Sequence, residues 1–220
     1  GQVGSGSGTF VFRLRMQAQQ VGDQVTVQLR ECGQVVPPVH AWLPNEDHLF
    51  TYPNSLYDAE LLPSVAATIT LGDSTPTSSL SLPRVAMQMG LNLSDPLNYT
   101  WPSTVAGLGA AVRVDNEQDS KPGVTAIYAT DPRPYVLPRT STSLPPQRAA
   151  EAHVAVRWIF SMTGALTSCD SSKGNATMAS IDTRVLGCAH ANGTLCSNSE
   201  ANHLDTNLPK FSFGKATYEL

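Results

Sequence analysis

Over residues 9–17 apolar and polar side chains alternate without a break. Phe10, Phe12, Leu14 and Met16 fall on one side, with Val11, Arg13, Arg15 and Gln17 on the other. A period of two belongs to an extended chain with one face buried, so this segment is predicted as a half-buried strand. After Gly22 and Asp23 the alternation resumes over 24–30, with Val25, Val27 and Leu29 opposing Gln24, Thr26, Gln28 and Arg30. Two such runs joined by a Gly-containing turn make an antiparallel hairpin that is wet on one face. The period returns at 65–71, at 85–93 and most strongly at 153–163, where Val154, Val156, Trp158, Phe160 and Met162 share a face. Shorter strands are expected at 109–114 and 124–130. The turn-forming run SCDSSKGN sends the chain back into a strand at 176–186, and 211–218 adds a last one with a bulge at Gly214. Only 199–207 has helical punctuation, behind Asn198 or Ser199 as N-cap.

Eight or nine strands with one apolar face each need a second layer or a closed cylinder to hide that face. Most joins are sequential hairpins. The predicted fold is therefore all-β: a single antiparallel up-and-down barrel with long loops and one short C-terminal helix, the alternative being a β-sandwich. The barrel domain spans 9–220, behind a flexible tether at 1–8 that reads GQVGSGSG. One loop stands out, because 33–62 carries Trp42, Phe50, Tyr52, Leu56 and Tyr57 among four prolines and is too long and aromatic to be a plain connector.

Composition narrows the classes. The chain is 41% hydrophobic and only 15% charged, with a net charge of −4, which excludes a disordered tail and a basic nucleic-acid arm. No stretch approaches the length of apolar residues that a transmembrane helix needs. The four cysteines, Cys32, Cys169, Cys188 and Cys196, lie in a Ser- and Thr-rich chain, an arrangement suited to an oxidising compartment. Cys188, His190 and Cys196 offer three zinc ligands, but the short Cys-x₂₋₄-Cys knuckle of structural zinc sites is missing. Two disulfides are expected instead, Cys188 to Cys196 across a short Gly-containing loop and Cys32 to Cys169.

The strand order, the terminal helix and the Gly8-Thr9-Phe10 entry to the first strand resemble the lipocalin and calycin barrels, with Phe10 where their Gly-x-Trp signature has Trp. The stretch 164–188, GALTSCDSSKGNATMASIDTRVLGC, resembles the C-terminal hairpin of secreted bacterial envelope proteins with lipocalin-like barrels. The resemblance implies a secreted, periplasmic or envelope-attached protein, including lipoproteins, and no assigned reaction.

Candidate chemistry is sparse. Asp115, Glu117 and Asp119 in DNEQDSKPG alternate like the opening of a calcium loop, but position six is Ser120 and position twelve is Ala126, so calcium binding is expected to be weak if present. No Gly-x-Ser-x-Gly, phosphate loop or His-Glu-x-x-His occurs, and no enzymatic activity is expected. The expected function is non-catalytic: a small apolar or amphiphilic ligand enters the barrel mouth, walled by Phe10, Met87, Trp158 and Phe160, with Trp42 and Tyr52 on a lid at 42–57. The alternative is a solid barrel whose long loops contact an envelope partner.

Overall fold

The computed structural model describes residues 8–220 apart from 23, 36–38, 41–46, 49, 74, 76, 129–134, 137–147, 169, 207 and 209–211. The tether at 1–7, Trp42 and Cys169 therefore lie outside the described residues. In chain order the elements are β1 (Val11–Val21), β2 (Gln24–Val35), β3 (Val39–His40), β4 (Asp47–His48), β5 (Phe50–Thr51) and helix α1 (Asn54–Asp58). There follow β6 (Val65–Leu71), β7 (Ser79–Met89), β8 (Val124–Tyr128), β9 (Tyr135–Val136), β10 (Arg148–Ser168), β11 (Ser171–His190), helix α2 (Asn198–Thr206) and β12 (Ala216–Glu219).

The fold is all-β, antiparallel and barrel-like. One curled sheet runs β1-β2-β6-β7-β10-β11-β12, so the main path keeps sequence order, as a meander should. Among the described residues no ladder joins β1 to β12, and the sheet is a half-barrel rather than a closed cylinder. β10 is its spine. The C-terminal half of β10 pairs with β7 while 151–154 pair with β8 along the same edge, and β11 lines the other edge for nearly its whole length.

The inner face carries the alternating apolar positions. Val27, Leu29, Ile69, Leu80, Leu82, Val85, Met87, Phe160 and Met162 form one cluster. A second, around Val154, Val156, Trp158, Met89, Val124 and Val185, continues onto Leu56 and Leu62 from the α1 segment and Ala201 and Leu204 from α2. Leu204 stays seated partly because Asp205 on the same helix accepts the Val185 amide at 2.8 Å. The start of α2 is a capping box with Ser197 as N-cap, one residue before the expected Asn198: Ser197 Oγ accepts the Glu200 amide at 3.3 Å, and Glu200 Oε2 accepts the Ser197 amide at 2.7 Å.

Three local expectations fail, each for a physical reason. Residues 109–114 do not form a strand: Gly109 has φ +66°, and 3₁₀ turns at Ala106–Leu108 and Ala110–Val112 flank it. Strand β7 starts before Pro83 rather than after it. The ladder with β10 skips at Pro83 and Arg84, and a bulge is where a strand tolerates a residue lacking N–H. Gly214 precedes β12 instead of bulging within it.

The 91–114 excursion wraps the outer face of β10. Leu91, Leu93 and Leu108 pack on Ala155, and Arg157, only 5% exposed, fastens the wrap. Its Nε and Nη2 donate to Asp182 Oδ2 at 2.9 and 2.6 Å, its Nη1 donates to the carbonyls of Pro96 and Tyr99 at 2.7 and 2.6 Å, and its guanidinium lies 5.2 Å over the Trp101 ring. All three guanidinium nitrogens are thereby used, which a lysine could not reproduce.

Candidate functional site

On β2 the inward series Val25, Val27 and Leu29 continues to Glu31, a carboxyl aimed into the half-barrel. Leu14 pairs with Glu31 and Arg13 with Gly33, so Cys32 is the extra residue of a β-bulge immediately beside it. The bulge turns Cys32 outward, exposed, and keeps Glu31 inward at 2% exposure. Tyr57, at the end of α1, donates its hydroxyl to Glu31 Oε1 at 3.1 Å. The second oxygen, Oε2, is buried with no hydrogen-bond partner among the described residues.

Burial raises the Glu31 pKa from 4.5 to about 8, against the opposing pull of the Tyr57 hydrogen bond. Tyr52 and Tyr57 are pushed well above the ordinary phenol range, first by burial and then by the nearby Glu31. Gln34 hydrogen-bonds the Tyr52 side chain. The site is thus one neutral acid and two neutral phenols set against an apolar floor.

Trp158 supplies part of that floor. Its ring meets Phe12 at 4.3 Å between centroids, and its Nε1 is a second buried polar atom without a partner among the described residues. Phe10 stacks on Phe12 at 5.8 Å and meets Phe213 edge-on at 6.2 Å, near the open seam of the sheet. Glu60 tethers the loop above: both Arg15 and Arg30 reach its carboxylate. These two arginines are direct cross-strand partners, a like-charge pairing that would repel without the shared anion.

The chain matches no protein family, no curated protein and no solved structure. The chemistry must therefore be read from this geometry alone.

Of the predicted ligand residues, Tyr52 and Trp158 meet in the cluster nearest Glu31, while Met87 and Phe160 lie deeper, packed in the neighbouring cluster. Phe10 lies one contact away from Trp158, through Phe12. Glu31, Tyr57 and Phe12 were not among the predicted site residues. The signal was present in the sequence, since the β2 alternation runs on past Arg30 and puts an acid at the next inward position.

The acidic loop uses its carboxylates internally. Asp115 Oδ2 accepts the Ser120 amide at 2.8 Å, Glu117 Oε2 the Thr125 amide at 2.6 Å, and Asp119 Oδ1 the Lys121 amide at 2.9 Å. Lys121 Nζ also bonds Glu151 Oε1 at 2.5 Å, which holds its own pKa up. Among the described residues, Asp115, Glu117 and Asp119 do not gather their oxygens around one point.

The Cys188–Cys196 disulfide is present. The expected Cys32–Cys169 bond is corrected: Cys32 is a free, exposed thiol. The ladder accords with it: the level of Gln24 maps through β6 and β7 to Thr163, and Ser168 and Ser171 lie beyond that level, on the side away from Cys32, while Cys169 itself lies outside the described residues. A groove of about 480 Å³ on β1, β2 and β6, lined by Gln17, Gln19, Thr26, Gln28, Ala66 and Thr68, lies apart from these groups and holds no titratable side chain. No described helix is long and apolar enough to cross a membrane.

Proposed function

We propose that the protein is a non-catalytic binding protein that takes a small amphiphilic molecule at the Glu31 end of the half-barrel. The observation that carries this reading is the buried Glu31 carboxyl with one oxygen unpartnered among the described residues. An orphan of that kind costs about 1–3 kcal/mol and is rare without a purpose. A few polar groups converging on an apolar, aromatic surface, one of them with a strongly shifted pKa, is the usual make-up of a small-ligand site. In this reading the polar end of the ligand meets Glu31 and Tyr57, and its apolar part displaces contacts on Phe12 and Trp158. The Tyr52–Leu62 segment, pinned through Glu60, serves as the lid. A lipocalin-like binding role in a secreted or envelope setting accords with the disulfide, which favours an oxidising compartment.

The test is a titration of tryptophan emission with a fluorescent fatty acid and with a long-chain alkylamine, on wild type and Glu31→Gln. Saturable binding of either probe that Glu31→Gln weakens about tenfold, the value of one charge-assisted hydrogen bond, supports the reading. A flat response to both transfers the assignment to the second reading, an interaction module. That reading draws on Val11 and Val35, cross-strand partners that are 42% and 49% exposed at the sheet margin.

A further inference from the structure

A second constellation lies at the other end of β11, independent of the Glu31 site. Cys188 and Cys196 are bonded to each other, and His190, Cys196 and Glu200 bring Nδ1 or Nε2, Sγ and a carboxylate oxygen within 4.8 Å of one another. His190 Nε2 lies 3.7 Å from Glu200 Oε2, with the two side chains only 9% and 6% exposed. One sulfur, one imidazole and one carboxylate therefore share a largely buried point, and the Cys188 sulfur adjoins it through its bond to Cys196.

We propose that reduction of the Cys188–Cys196 disulfide opens a four-ligand zinc site made by Cys188 Sγ, Cys196 Sγ, His190 and Glu200. Zinc is the fitting metal because thiolate, imidazole and carboxylate together, in a closed four-ligand set, suit its tetrahedral preference. In such a site nitrogen and oxygen ligands with metal bonds of about 2.0 Å stand about 3.3 Å apart, so the observed 3.7 Å pair has only a few tenths of an ångström to close.

The decisive feature is that the two cysteines are held together by more than their own bond. Cys196 donates its amide to the Cys188 carbonyl at 2.8 Å, His190 donates to Thr194 at 2.8 Å, and Gly193, with φ +81°, donates back to His190 at 2.8 Å. Ala189 and Leu195 form a bridge inside the same hairpin. Glu200 is fixed separately, by the capping box and by the packing of Ala201 and Leu204 against the core. Breaking the S–S bond leaves the scaffold in place.

The step balances with a dithiol reductant. Thiol–disulfide exchange transfers two electrons and two protons to the protein, giving two thiols while the dithiol closes to its own disulfide. Zinc then binds the two sulfurs as thiolates and releases both thiol protons to solvent. The pair would thus report the redox state of its surroundings as metal-free or metal-bound.

The experiment uses the full chain carrying Cys32→Ser and Cys169→Ser, so that only this pair contributes sulfur. Cobalt(II) is added to oxidised protein and to protein reduced by a phosphine that is then removed, and zinc is competed against a chromophoric chelator. The expected result is one cobalt per chain, with thiolate-to-cobalt charge transfer and tetrahedral visible bands, only after reduction. His190→Ala and Glu200→Gln should each weaken zinc at least about tenfold. Circular dichroism confirms that the variants stay folded, and His190→Ala serves where loss of the helix cap unfolds Glu200→Gln. Absence of charge transfer in folded, reduced protein, cobalt binding equal in both redox states, or zinc affinity indifferent to His190→Ala overturns the proposal.

Discussion

Replacing Glu31 by Gln removes the ionisable group at the centre of the site while keeping its shape, and its effect on stability follows from the direction of the pKa change. The carboxyl titrates near 4.5 when unfolded and at about 8 in the native chain. Below 4.5 both states hold the proton and nothing is lost. Between 4.5 and 8 the unfolded state ionises while the folded state stays protonated, so stability falls as pH rises; above 8 both are ionised and the loss is complete. At about 1.4 kcal/mol per pH unit the whole loss is at most about 5 kcal/mol, since water entering the site relieves part of it. Urea unfolding of wild type and Glu31→Gln at about pH 5 and about pH 8.5 reads this directly. The wild type should lose about 3–4 kcal/mol more than the variant across that interval. The comparison rests on the pH dependence, not on absolute stability, because the Gln amide carries a burial cost of its own. Two pH profiles parallel to within about 0.5 kcal/mol would refute the buried, neutral carboxyl and with it the basis of the binding site.

Other outcomes follow from features away from Glu31. Arg157→Lys keeps the charge but loses the fork to Asp182 and the two carbonyls, so it should cost about 3 kcal/mol or more by urea unfolding and expose the 91–114 wrap to limited proteolysis. A cost under about 0.5 kcal/mol would show that the fork is not what holds the wrap. The native, unreduced wild type should take up an alkyl group at Cys32; peptide mapping that finds none there would restore a bonded Cys32. Calcium should give no thermal shift and no binding tighter than about micromolar, because loop amides already occupy the Asp115, Glu117 and Asp119 oxygens. Tight calorimetric binding would mean that the loop rearranges around the ion.

The strands were legible wherever one face is wet. β6 falls on the residues that its alternation marks, and β1 and β2 extend the predicted runs by a few residues in the same phase. The 91–114 wrap was misread because its apolar residues pack on the outside of β10 instead of continuing the ladder. A hint lay in β10 itself, where Ala155 and Ile159 occupy positions that a one-sided strand would give to polar residues; a strand covered on both faces loses its alternation. Glu31 stands one residue past Arg30, where the predicted strand stops. The bulge at Cys32 could not be read at all, since an extra residue leaves no mark in composition. The Cys32 pairing failed for a related reason: proximity of two distant cysteines is a property of sheet register, which no local pattern carries.

The central position of β10 also sets an order of events in time. β10 and β11 pair over almost twenty positions and β1 and β2 over eleven, each between strands adjacent in the chain, so these two hairpins close the shortest loops in the sheet. The entropic cost of loop closure grows with the length of chain between partners, and that ranks these hairpins first to form. β2 then reaches β6 across the 30–64 stretch, and β7 must return across the longer 91–147 stretch to find β10, which ranks that joint last. The seam between β7 and β10 is thus the last joint made, and the two halves of the sheet that it unites, one carrying Glu31 and the other Trp158, are each assembled before they meet.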